Sequence, residues 1–124
     1  MDPNLRPYKK EDLTFCNALI ERNMQAYFDE AGISWDSERY AREMQIDSVW
    51  VVFMGIDRAG FIHLSDKEND GYINTIQIDP KFRNRGIGSY MMNWVEDECK
   101  RNNKRGIQLS VYAHSPAFQL YKRL

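Results

Sequence analysis

The stretch Ile76-Gln77-Ile78-Asp79-Pro80-Lys81-Phe82-Arg83-Asn84-Arg85-Gly86-Ile87-Gly88-Ser89 changes period in its middle. Up to Ile78 its residues alternate as those of a half-buried strand do, and Pro80, which has no N–H for a ladder, stops the strand. From Gly86 onward, Ile87, Met91, Trp94, Val95 and Cys99 recur at helical spacing, while Asn93, Glu96, Asp97, Lys100 and Arg101 fall on the opposite side. That pattern predicts a helix over 86–102. Between strand and helix lies a turn with two glycines and two arginines. Such a turn gathers orphan main-chain N–H groups and the positive end of the helix dipole, and so suits a phosphate. Gly86 and Gly88 keep Cβ atoms out of an anion's way, and Arg83 and Arg85 add charge. The letters alone also fit a plain strand-to-helix turn with solvated arginines. The turn lacks the Lys-Ser/Thr pair of a Walker A loop and the third glycine and parallel strand-helix-strand setting of a dinucleotide fingerprint.

Working outward from this turn, the preceding chain reads as three successive strands over 48–54, 60–64 and 72–78, rich in Val, Ile, Phe and Trp. Asp57-Arg58-Ala59-Gly60 and Asn69-Asp70-Gly71 supply residues of tight connections between them, which makes an antiparallel meander the economical topology. Upstream, residues 5–8 form a short strand candidate. Leu13, Cys16, Leu19, Ile20, Met24 and Tyr27 place an apolar stripe on a helix over 11–28, with Glu11 and Asp12 where a helix start favours negative charge. Gly32 breaks that helix, and Asp36 can cap a second over 37–44. Downstream, Gly106 resets the chain for a strand over 107–112, and Pro116 suits the first turn of a last helix ending at Leu124. The expected fold is therefore α/β (α+β): a mixed, mostly antiparallel central sheet flanked by helices, in one domain spanning 1–124.

Composition narrows the partners. The chain has 124 residues, with 17 Lys+Arg against 18 Asp+Glu and a net charge of −1. Interspersed signs provide no basic face, so nucleic acid is not expected as a partner. No apolar run approaches the roughly 20 residues of a membrane span, and the Met1-Asp2-Pro3 start has no signal-peptide pattern, so no membrane partner and a cytoplasmic location are expected. Cys16, Cys99, His63 and His114 offer too few zinc ligands in sensible spacing, so no metal is expected. Cys16 and Cys99 both fall on apolar helix faces, where a thiolate is disfavoured, which makes them poor nucleophiles.

Taken with the element order, Ile76-Gln77-Ile78-Asp79-Pro80, Arg83-x-x-Gly86-x-Gly88, Val111 and Ala117-x-x-Leu120-Tyr121 resemble the GNAT superfamily of acetyl-CoA-dependent N-acetyltransferases over nearly the whole chain. The resemblance implies that the main-chain amides of Asn84, Arg85, Gly86, Ile87, Gly88 and Ser89 cradle the pyrophosphate of acetyl-CoA, the cosubstrate, with Arg83 beside them. It implies that Ile76, Gln77 and Ile78 pair with the pantetheine arm like an added strand, and that an N–H near Ile76 or Gln77 polarises the thioester carbonyl. Tyr121 matches the family's tyrosine near the cofactor sulfur and becomes the expected general acid, although an aromatic on the stripe of Ala117, Leu120 and Leu124 also suits a core position. His114 stands where many relatives have an asparagine that touches the cofactor; a hydrogen bond to pantetheine and a helix-capping role are both open. His63, on a central strand, fits an acceptor-cleft position and, more safely, a satisfied sheet histidine.

The expected reaction is direct acetyl transfer to a primary amine of a small molecule or peptide. Tyr72 and Asn74 fall where some relatives carry a glutamate base, so proton removal is expected to run through water. The turn 29–36, with its carboxylates and Trp35, reads either as the acceptor wall or as a solvated acidic loop. Relatives usually continue with two further strands. Their absence is read as a truncated chain, as a hairpin supplied by a second chain, with a homodimer among the possibilities, or as a shortened variant. The rival readings are a CoA-binding but catalytically inactive regulatory or interaction domain, and a binder of some other phosphate ligand.

Overall fold

The computed structural model describes residues 2–34, 36–46 and 48–109. Strand β1 (Pro3–Pro7) leads through a single 3-10 turn into α1 (Leu13–Ala31) and α2 (Ser37–Ile46). Then come β2 (Ser48–Met54), β3 (Asp57–Lys67), β4 (Asp70–Ile78), a second 3-10 turn at Pro80–Phe82, α3 (Ile87–Arg101) and β5 (Ile107–Leu109). The five strands form one sheet in the order β1-β2-β3-β4-β5. Three pairings are antiparallel and the last, β4 with β5, is parallel. This is the mixed α+β architecture that the alternation and helical spacing predict. The strand expected over 107–112 is described to Leu109, and the last helix lies outside the described residues.

Two apolar layers hold it together. On one sheet face, Val52, Ile62, Leu64, Ile73 and Ile76 pack with Ile87, Met91, Val95 and Cys99 of α3, the stripe predicted from its spacing. On the other, Val49, Val51 and Phe61 pack with Cys16, Leu19, Ile20, Met24 and Phe28 of α1 and with Tyr40 of α2. Adjacent strand residues alternate between the layers, as in Phe61 and Ile62, so a one-residue slip would exchange the cores. Among the described residues, no helix is long and apolar enough to cross a membrane.

The hairpins depart from expectation. Strand β3 is eleven residues long rather than the five of 60–64, and its first residues are those expected to turn. The β2–β3 turn is at Gly55, with φ +65°, and the β3–β4 turn includes Glu68, with φ +58°. Gly60 and Gly71 lie within strands. A Cβ on Gly60 would stand 2.2 Å from the Gln77 carbonyl oxygen, and one on Gly71 would stand 2.5 Å from Cys99 Sγ. Both glycines answer to close approach of neighbouring chain, not to chain reversal. Between the pairs Val52↔Gly60 and Phe53↔Arg58 the register shifts by one residue, which leaves Ala59 of β3 as the extra residue of a bulge.

Candidate active site at the β4–α3 turn

The turn is fastened at its β4 end. The Asp79 amide donates to Ala59 O at 2.8 Å, and the Asp79 carboxylate accepts from the Lys81 amide at 3.1 Å. Phe82 then drops into the α3-side core, where it is 7% exposed. Asn84 (φ +63°) and Gly86 (φ +79°) follow in the left-handed region, which asparagine and glycine tolerate best. Curls of this kind converge successive N–H groups on one concave side. The first helical bond of α3 runs from the Tyr90 amide to Gly86 O at 3.0 Å. Among the described residues, none of the main-chain N–H groups of Asn84, Arg85, Gly86, Ile87, Gly88 and Ser89 donates to a protein acceptor. A Cβ on Gly86 would meet nothing within 4 Å, so the space beside Gly86 is open.

The same segment carries three cations. Lys81 Nζ lies 5.3 Å and the Arg85 guanidinium carbon 5.5 Å from the centroid of the Phe82 ring. Arg83 donates from Nη2 to Asn23 Oδ1 of α1 at 2.9 Å. Among the described residues, no carboxylate comes within ion-pair distance of any of the three; Asp79, the nearest in sequence, faces Arg22 at 3.5 Å. Unpaired amides, a helix N-terminus and un-neutralised cations together fit a diphosphate.

Beside the turn, β4 offers an edge. β5 is described only to Leu109 and pairs with β4 at Gly71, Tyr72 and Ile73, so no described strand lies against 74–78 on the side away from β3. Because the Asp79 amide bonds Ala59 O, antiparallel alternation turns the main-chain groups of Gln77 and Thr75 toward β3 and those of Ile76 and Ile78 toward that edge. The Ile78 carbonyl already accepts from Asn23 Nδ2 at 3.1 Å. Ile76 thus presents an N–H and a C=O to an extended ligand, whereas the Gln77 amide faces Phe61. The buried Gln77 side chain joins Asn23 and Thr75 on the α1 side.

Other residues singled out by sequence lie apart or beyond view. His63 is buried, its Nδ1 2.9 Å from the Tyr40 hydroxyl of α2. Asn74 donates to Ser65 Oγ at 2.8 Å, and Tyr72 stacks under Lys67 at 5.3 Å, so neither is poised as a base. Burial, with the charge of Asp12 adding to it, pushes the Cys16 thiol up to about 12, and burial raises Cys99 as well, so both thiols are unreactive. Trp35, Val111, His114, Ala117, Leu120 and Tyr121 lie outside the described residues. Asn23 is what the sequence reading passed over. Its signal was a polar residue in phase with Cys16, Leu19 and Ile20, where an apolar one belongs.

The family model of the acetyltransferase (GNAT) family matches residues 16–124. The fold is similar to that of the PaiA N-acetyltransferase from Thermoplasma acidophilum in complex with coenzyme A, at 18% identity over 99% of this chain and 88% of that one, with a TM-score of 0.79. It is similar also to the ribosomal-protein-S18-alanine N-acetyltransferase from Escherichia coli, at 16% identity over 98% and 76% of the two chains, with a TM-score of 0.78. A predicted acetyltransferase with acetyl-CoA from Clostridium acetobutylicum aligns at 18% identity over 98% and 88%, with a TM-score of 0.70.

Proposed function

This chain belongs to the acetyltransferase (GNAT) family, and from that premise we propose that it moves the acetyl group of acetyl-CoA directly onto a primary amine of a small molecule or peptide. The observation that carries the proposal is the run of six main-chain N–H groups at the head of α3, unpartnered among the described residues and bordered by Lys81, Arg83 and Arg85 without carboxylates. In this reading Asn84, Arg85, Gly86, Ile87, Gly88 and Ser89 hold the diphosphate through those amides, with the Arg83 guanidinium alongside. The pantetheine arm lies along β4 at Ile76 and Ile78, on the side away from β3.

Each protein group then has a defined task. The Ile76 N–H, fixed in the strand and aimed at the open edge, polarises the thioester carbonyl and stabilises the oxygen as negative charge develops on it. The amine attacks the carbonyl carbon and surrenders its proton to water. The carbon–sulfur bond breaks, and Tyr121 protonates the leaving thiolate. A phenol with an ordinary pKa of about 10 can protonate a thiolate whose conjugate acid sits near 8.5 only when both are held in place, and this is the role the reading gives Tyr121. His114 hydrogen-bonds the pantetheine arm. No covalent acetyl-enzyme is needed, in keeping with two buried, high-pKa cysteines.

Thermal unfolding with increasing acetyl-CoA tests the proposal. A ligand at 100 times its Kd that binds only the folded state adds about 2.7 kcal/mol of stability, so the midpoint should climb steadily. A flat titration overturns the reading. Simple nucleotides should not reproduce the climb, because they cannot use the β4 edge; equal response to both favours a different phosphate ligand. Tyr121→Phe should leave the midpoint shift intact and slow CoA release over a panel of amines. Binding with no CoA release on any amine would make the chain a CoA-binding regulatory domain instead.

A further inference from the structure

We propose that Asn23 is a positioning residue of the diphosphate site, orienting the Arg83 guanidinium without neutralising it. The inference rests on the acetyl-CoA reading of the β4–α3 turn.

Asn23 stands within α1, 9% exposed, on the stripe that buries Leu19, Ile20 and Met24. A buried amide in such a place is costly unless its hydrogen bonds are made. Here all are made. Oδ1 accepts from Arg83 Nη2 at 2.9 Å, while Nδ2 donates to Gln77 Oε1 at 2.9 Å and to Ile78 O at 3.1 Å. A guanidinium has only donors, so Oδ1 must face it, and this sends Nδ2 toward β4. Gln77 in turn donates from Nε2 to Thr75 Oγ1 at 2.8 Å. The donors therefore run one way, from Arg83 through Asn23 and Gln77 to Thr75.

A neutral amide at position 23 has an electrostatic consequence. It fixes one nitrogen of the guanidinium fork and takes none of its charge. Among the described residues Arg83 meets no carboxylate, so its charge and the other donors of its fork remain available to an anion that can be met bidentately. A carboxylate at position 23 would still accept from Arg83, but it would quench the cation and give up the two bonds donated to Gln77 Oε1 and the Ile78 carbonyl. Asn23 also holds the carbonyl of Ile78, the last residue of β4, so the same side chain sets both the departure of the turn and the direction of its arginine.

A double-mutant cycle read by acetyl-CoA affinity separates this role from mere bracing of α1 against β4. The variants are Asn23→Asp, Arg83→Gln and the pair, each measured by calorimetric titration with acetyl-CoA and by thermal unfolding. Asn23→Asp should weaken binding about tenfold, the scale of one charge-assisted hydrogen bond. In the Arg83→Gln background it should weaken binding by much less, the remainder coming through the Ile78 carbonyl, while its effect on the unfolding midpoint persists in both. Should Asn23→Asp fail to fold, Asn23→Ser takes its place in the cycle. Equal weakening by the position-23 variant with and without Arg83, or a lowered midpoint with unchanged affinity, overturns the inference and leaves the acetyl-CoA reading standing. A wild-type protein that binds no acetyl-CoA overturns both.

Discussion

The head of α1 and the head of α3 are built from the same parts and left in opposite states. At α1, Arg6 and Arg58 lie 4.7 and 5.7 Å from the Phe53 ring centroid. At α3, Lys81 and Arg85 lie 5.3 and 5.5 Å from that of Phe82. The difference is the anion. Asp12, fully buried, takes both Nη atoms of Arg6, Nε of Arg58 and the Lys9 amide, all between 2.8 and 2.9 Å. Among the described residues no such carboxylate stands at α3, and the amides and cations there stay open. The cation cluster beside the start of α1 is closed by the protein's own carboxylate, and the cluster at α3 has the form of a site that an external anion would close.

The largest effect should come from breaking the closed head. Asp12→Ala removes the anion that two arginines and an amide share, and loss of one side of a buried ion pair costs about 3 kcal/mol, at the low end of such losses because both arginines can reach water. The midpoint should fall by roughly 10 °C, yet the fold-stabilising response to acetyl-CoA should survive. Loss of that response in a folded Asp12→Ala protein would mean that the two heads are not independent. The mirror experiment attacks the open head. At Gly86 the backbone has φ +79° with open space in front of it, so Gly86→Val meets backbone strain of about 1–2 kcal/mol and places a branched side chain where the diphosphate would sit. The acetyl-CoA shift should vanish while unfolding stays cooperative; an undiminished shift would show that the anion does not enter there.

The contrast between the heads also marks what could be read from sequence. Local patterns carried far: the 3.6-residue spacing of Ile87, Met91, Val95 and Cys99 placed α3, and the glycines and arginines before it placed the open turn, because neighbours in the chain make both. The closed head was hidden because its second arginine, Arg58, comes from a strand 46 residues away. Asp12 had a sufficient local explanation as an acid at a helix start, yet its carboxylate caps no amide of α1. Gly60 and Gly71 misled for the same reason. Their nearest claims are Gln77 O and Cys99 Sγ, contacts across the fold, and a glycine needed for clearance has the same letter as one needed for a turn. The polar ends of β3, Asp57-Arg58 and Ser65-Asp66-Lys67, are held by ladders to β2 and β4 rather than by any pattern of their own.

Acid should tell the heads apart more gently. Burial alone pushes the Asp12 carboxyl up, but hydrogen bonds from Arg6, the Lys9 amide and Arg58 outweigh it and hold the group below its ordinary value. The unfolded chain, with an Asp pKa near 3.9, then takes up this proton more readily than the folded one. The stabilisation is complete above that value and drains as pH falls through the lower folded value. Unfolding midpoints measured from pH 6 downward should drop for the wild type below about pH 4 and drop less steeply for Asp12→Asn, whose side chain does not titrate. Parallel curves would remove Asp12 as the anion that closes α1.

The smallest expected difference is the most specific. Arg58→Gln and Arg85→Gln each remove one ring-stacked cation, from the closed head and the open head respectively. Arg58 is paired with a buried carboxylate, so its loss should lower stability by about 1 kcal/mol or slightly more and leave acetyl-CoA affinity within error. Arg85 is exposed and meets no carboxylate among the described residues, so its loss should change stability by less than about 0.5 kcal/mol. Its charge matters only when an anion arrives, and acetyl-CoA should then bind a few-fold more weakly, with the deficit shrinking as salt is raised because exposed charges are screened. Calorimetric titration of both variants at low and high salt checks the pair. If Arg85→Gln behaved as Arg58→Gln does, the open head would be a structural cluster like the closed one, and the absence of a protein carboxylate there would have no bearing on ligand binding.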